Sequence, residues 1–225
     1  MILVAMLGAP PLRAQQMAYA ANVGAELDSV TQAAVTREIA KARERGLPVE
    51  PLVAKVREGR LKRAAGTRIR SAVSKLSERL DTARAALGGE STVEELVAGA
   101  EAIGAGAAPA SLRALRAATT LHPIAFLLGT LAQLVASGVP APKAVEMITA
   151  LLRKNAGSAQ VLALGNQVET DVASGLGPEE SASIRLRGIE ALLPLNGDKV
   201  TVTASPAGST GPPAPKGPPP PQRKP

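Results

Sequence analysis

The chain has 225 residues, a net charge of +7 and 45% apolar residues, yet it holds one Phe, one Tyr and no Trp. A core without aromatic bulk has to be built from Leu, Val, Ile and Ala, and alanine favours helix and lets helix backbones approach closely, so the composition points to an all-α fold. The chain has no Cys and a single His, which excludes disulfides, cysteine-ligated zinc, iron–sulfur clusters, thiol catalysis and a lipid-modified N-terminal Cys.

Residues 1–20 open on an apolar run, break at Pro10-Pro11 and pass through Leu12-Arg13-Ala14 to a second small-residue motif, Ala18-Tyr19-Ala20. This is the order of a secretory signal peptide, although no Lys or Arg precedes the apolar run, and it predicts a periplasmic or secreted bacterial protein. The segment is too short to span a bilayer, and so is the apolar run of residues 124–136, so no transmembrane helix is expected in the mature chain.

A helical domain is expected over residues 21–195. Within it a corner pattern recurs: Gly46-Leu47-Pro48, Gly138-Val139-Pro140, Gly175-Leu176-Gly177-Pro178 and the looser Gly106-Ala107-Ala108-Pro109. A left-handed glycine ends a helix, the following apolar residue packs back on the last turn, and proline suits the first turn of the next helix. Ser91 with Glu94 reads as a capping box, Thr67 and Ser158 read as N-caps, and Pro51 and Pro142 as first-turn prolines. Ile69, Ala72, Val73, Leu76, Leu80, Ala83 and Leu87 step by three and four residues, making one apolar stripe. Corners and stripes together predict about nine short antiparallel helices, at residues 21–45, 51–62, 67–87, 92–104, 109–118, 123–137, 141–154, 158–174 and 178–193. Their spacing suggests a helical-hairpin repeat, arranged either as a short solenoid or as a compact bundle.

After Leu195 the composition changes. Residues 196–225 are rich in Pro, Gly, Ala, Ser and Thr and end on a basic Pro-rich stretch. Such a segment cannot bury enough surface to offset its ordering entropy, so a disordered tail with polyproline II character is expected. It would serve as a solubilising tail, as a ligand for a proline-binding module or as a basic tether. The corners, the alanine-rich helices, the leader and this tail together resemble uncharacterised exported helical proteins of environmental bacteria. That resemblance brings no activity and no site residues.

Catalytic chemistry finds little support. His122 precedes Pro123 and has no second histidine to work with, so a turn or capping role is expected. Glu94-Glu95 and Glu179-Glu180 fall in first helical turns, where negative charge complements the helix dipole. Glu169 and Asp171 form a third carboxylate pair. No phosphate-binding glycine loop follows a strand. No catalytic residue, metal ligand or cofactor is assigned.

The charge is concentrated. Lys55, Arg57, Arg60, Lys62, Arg63, Arg68, Arg70, Lys75 and Arg79 face only Glu58 and Glu78 over residues 55–79, nine cations against two carboxylates, whereas residues 91–195 are slightly acidic. All of these cations except Arg70 are taken as a candidate binding surface, with an ordinary solvated face as the plain alternative. The partner expected is a protein or an anionic envelope component. Nucleic acid is disfavoured because no aromatic side chains are available for stacking. The leading expectation is therefore a non-enzymatic exported helical-repeat protein. The alternatives are an acid/base enzyme, with carboxylates such as Glu101 and Glu169 converging in a helical pocket, and a cytosolic polyanion-binding protein.

Overall fold

The computed structural model describes residues 27–193, and every regular element among them is a helix. In chain order these are α1 (Ser29–Glu44), α2 (Glu50–Leu61), α3 (Gly66–Leu87), α4 (Val93–Ala105), α5 (Pro109–Ala117), α6 (Ala125–Ala136), α7 (Ala141–Arg153), α8 (Ser158–Ala173) and α9 (Pro178–Leu192). The expected leader at 1–20 and the expected tail at 196–225 lie outside the described residues. Among the described residues no helix is long and apolar enough to cross a membrane.

The corners close by one device. Gly46 sits at φ +69°, and the Leu47 N–H reaches back 2.9 Å to the Ala42 carbonyl. Ala107 bonds Ala102, Val139 bonds Leu134 and Leu176 bonds Asp171 in the same way, after Gly106, Gly138 and Gly175 at positive φ. This five-residue return bond satisfies a carbonyl left open at the helix end. Two further corners use no glycine. Arg63 (φ 50°) and Asn155 (φ 57°) take the left-handed conformation, and Ala64 and Ala156 donate to Gly59 and Leu151. The glycines that follow these two corners do something else. Gly66 is the first residue of α3 and lies so near α1 that an added Cβ would clash with the Thr31 hydroxyl. Gly157 is the N-cap of α8.

Three capping expectations are corrected. The capping box lies one residue later than Ser91 and Glu94: Thr92 Oγ1 accepts from the Glu95 N–H at 3.2 Å, and Glu95 Oε2 accepts from the Thr92 N–H at 3.0 Å. Ser91 instead donates to the Gly88 carbonyl at the preceding corner. Thr67 and Ser158 lie inside their helices, behind Ala65 and Gly157 at the cap positions. Among the described residues the first helix starts at Ser29, so the helix expected over 21–45 is divided at Asp28. Asp28 accepts from the Thr31 N–H at 2.9 Å and fixes that start. Pro51 and Pro142 stand in first turns as expected.

Two clusters of buried side chains hold these helices together. One joins Val35 and Ile39 of α1, Leu52, Val53 and Val56 of α2, Ile69, Val73 and Leu80 of α3, and Leu96 and Ala100 of α4. The other is built around α6, whose Leu127, Leu128, Leu131 and Leu134 are fully buried, and draws on residues of α3 through α9. α3 and α4 belong to both. Each odd-numbered helix packs on the next odd-numbered one, and α4 packs on α6 as α6 does on α8. The exception is α2, which packs on α3 and α1 and has no packed interface with α4.

Candidate functional site

The missing interface leaves a groove of about 740 Å³ with α3 as its floor and α2 and α4 as its walls. Its origin is visible in the α3 stripe. Ile69, Val73 and Leu80 are buried, but Ala72 and Leu76 of the same stripe are only half-buried because they face the groove. Ala54 of α2 and Val93 and Val97 of α4 complete an apolar lining, with Val93 50% exposed. Around this lining stand six charged side chains: Glu50, Lys55 and Glu58 from α2, Lys75 and Arg79 from α3, and Glu101 from α4.

The predicted basic surface divides here. Lys55, Lys75 and Arg79 line the groove, whereas Arg57, Arg60, Lys62, Arg63 and Arg68 do not. Lys55 and Lys62 both donate to Glu58, at 2.6 and 2.5 Å. Their hydrogen bonds, and then their charges, hold the Glu58 carboxyl at about 2. Arg70 donates to the Thr31 hydroxyl of α1 at 2.7 Å. Arg68 and Lys75 are exposed, as their place beside the stripe predicts. Arg79 is not: it is half-buried, and its guanidinium lies across Gly104 of α4, where an added Cβ would stand 2.7 Å from Nη1. Among the described residues, Lys75, Arg79, Glu50 and Glu101 have no ion-pair partner. The groove therefore combines an apolar floor with two cations and two carboxylates that are not committed to each other.

The sequence reading missed a second polar constellation, centred on Glu95. This carboxylate is 1% exposed. Besides the Thr92 N–H it accepts from Arg116 Nη2 of α5 at 2.9 Å and from the Ile124 N–H just ahead of α6 at 2.8 Å. Burial pushes its carboxyl up, but the hydrogen bonds from Arg116, Ile124 and Thr92 win and hold it below the ordinary glutamate range. A second Arg116 nitrogen, Nη1, lies 2.7 Å from His122 Nδ1. The Thr92 bond lies within the capping box of α4, and the bonds from Arg116 and Ile124 tie α4, α5 and the segment before α6 together. A Thr-x-x-Glu pattern is readable in the chain, but the pairing with Arg116 is not.

The other carboxylates are distributed rather than gathered. Glu101 is exposed on the groove wall, and Glu169 is exposed on α8, accepting from Gln133 of α6 at 2.5 Å. Asp171 takes two hydrogen bonds from Arg185, at 2.7 and 2.6 Å, and one from Ser181, which hold it at about 2. Glu94 and the Glu179-Glu180 pair stand in the first turns of α4 and α9. Among the described residues no cluster of His, Asp and Glu is arranged to hold a metal ion.

Comparison with protein-family models, with curated proteins and with solved structures finds no match to this chain.

Proposed function

We propose that the protein is a non-enzymatic binding protein of the bacterial envelope, exported by its leader, that receives a partner in the α2–α3–α4 groove. The supporting observation is the groove itself: an apolar floor left open between two walls, edged by Lys75, Arg79, Glu50 and Glu101 without ion-pair partners among the described residues. Uncovered apolar surface inside a charged rim is the general character of a recognition site. The neighbour relations between helices support a hairpin-repeat arrangement, in which binding faces commonly form along one row of helices.

The interleaved carboxylates favour a protein partner over an anionic polymer. Glu58 engages both Lys55 and Lys62 and offsets one of their two charges, and Glu50 and Glu101 would repel a polyanion lying in the groove.

The test is a photoreactive amino acid placed in the living host at the exposed groove residue Ala54, and for comparison at exposed Glu146 of α7. The expected result is a crosslinked species of discrete mass from position 54 alone, in the envelope fraction, that disappears with the double substitution Lys75→Glu/Arg79→Glu. Equal crosslinking from both positions, or none from 54, would contradict the groove. N-terminal sequencing of the same material tests export: a chain that starts beyond the leader supports it, and an intact Met1 opposes it.

A further inference from the structure

We infer that the occupant of the groove is a single amphipathic α-helix of a partner protein, laid between α2 and α4 along α3. The inference rests on the groove being the binding surface and adds what the surface recognises. The first argument is the packing pattern. α4 lies against α6 and α6 against α8, whereas among the described helices α2 has no packed neighbour on the side that faces α4. A helix placed there would have α2, α3 and α4 around it.

The second argument is size. The walls are helices of 12 and 13 residues, or about 18–20 Å at 1.5 Å per residue, a run that three to four turns of a partner helix would match. The small Ala54 and Ala72 leave room for a backbone to come close, and Leu76 and Val97 supply larger apolar contacts.

The third argument is charge. Lys75 and Arg79 are four residues apart, one turn along α3, so they present two cations at helical spacing. A partner helix carrying two carboxylates at i and i+4 beside an apolar stripe pairs with both, and a basic residue on its other edge meets Glu50 or Glu101. A fatty acid or an anionic lipid headgroup would use the cations but leave Glu50 and Glu101 opposed to its charge.

The test uses the full chain and a displayed library of random peptides of about fourteen residues, long enough for about 20 Å of helix. Selection is on the wild-type protein, and counter-selection is on Ala54→Arg, which fills the groove from an exposed position. Vesicles of phosphatidylglycerol and free dodecanoate are measured in parallel. The expected result is enrichment of peptides with apolar residues at i, i+3, i+4 and i+7 and Asp or Glu at i and i+4. These become helical on binding, weaken by about tenfold with Lys75→Glu, and recover when the peptide carboxylates are exchanged for lysines. Enriched peptides without helical spacing would overturn the helical occupant. If dodecanoate or the vesicles bind in an Ala54→Arg-sensitive way and no peptide does, the groove stands and the helix falls. If nothing bound is sensitive to Ala54→Arg, both the occupant and the groove are wrong.

Discussion

The α1–α3 region and the α4–α9 region are built with the same corners and helices of similar length, but they end in different states. In α4–α9 the rows close: α6 buries leucines on most of its surface, and its neighbours cover it from several sides. In α1–α3 the helices are richer in cations. α2 there packs on α3 and α1 but has no packed interface with α4. A corner fixes where a helix turns, but apolar surface decides whether the row beside it is filled. Where α2 carries Glu50, Lys55 and Glu58 on the side toward α4, the row stays open.

The difference can be broken or sharpened by substitution. The largest effect is expected at Glu95. Glu95→Ala leaves the Arg116 guanidinium largely buried without its carboxylate and strips the Ile124 N–H of its acceptor. It should destabilise the protein by about 3–5 kcal/mol in denaturant unfolding. A loss under 1 kcal/mol would show that the constellation does not anchor the α4–α9 region. Next come the two cores. Leu131→Ala at the centre of α6 should cost about 4 kcal/mol, and Leu52→Ala in α2 about 2, because the wall of an open groove collapses more easily into a vacated space than a surrounded helix does. Equal losses would erase the distinction between the regions.

Acid should act through the same anchor. A carboxyl held low in the folded chain contributes stability that is present above its unfolded value and lost as pH falls through its folded value. Glu95 therefore contributes fully at neutral pH and progressively less below 4.5, the ordinary glutamate value. The thermal midpoint should fall over that window, and Glu95→Gln should flatten the upper part of the fall; an unchanged slope in that variant would remove Glu95 from the account. Asp171, held at about 2, extends the loss to lower pH.

The smallest effects belong to the corners. Gly138→Ala puts a Cβ at φ +96° and 3.0 Å from Pro178 Cγ, at a cost of about 1–2 kcal/mol. Arg63→Gly relieves the same kind of strain at φ 50° and should stabilise by about 0.5–1 kcal/mol. Opposite signs at these two positions, read from paired melts, would confirm that both corners use one conformation.

The corners were the most legible part of the fold, because left-handed glycine, a packed-back apolar residue and proline are local requirements. Gly46, Gly106, Gly138 and Gly175 behave as the pattern says. Gly66 and Gly157 do not, since Arg63 and Asn155 take the left-handed position; Gly66 answers instead to the nearness of Thr31, a contact between distant parts of the chain. The capping box was misplaced by one residue because Ser91 and Thr92 both offer a hydroxyl. What selects Thr92 is Glu95, drawn inward by Arg116 and Ile124. The basic surface was legible as charge but not as a site. Composition could not show that Glu58 engages Lys55 and Lys62, nor that Lys75 and Arg79 share a groove with the half-buried Leu76.

Thiol labelling tests the open seam most directly, since the chain contains no Cys of its own. Val97 and Ala98 are adjacent in α4: Val97 lines the groove, and Ala98 is buried in the cluster around α6. Val97 is partly buried, so Val97→Cys should react with a maleimide under native conditions more slowly than a fully exposed cysteine but measurably, and Ala98→Cys should react only as the protein unfolds. Equal protection of the two would mean that α2 and α4 close on each other in solution, and the site proposed between them would not exist.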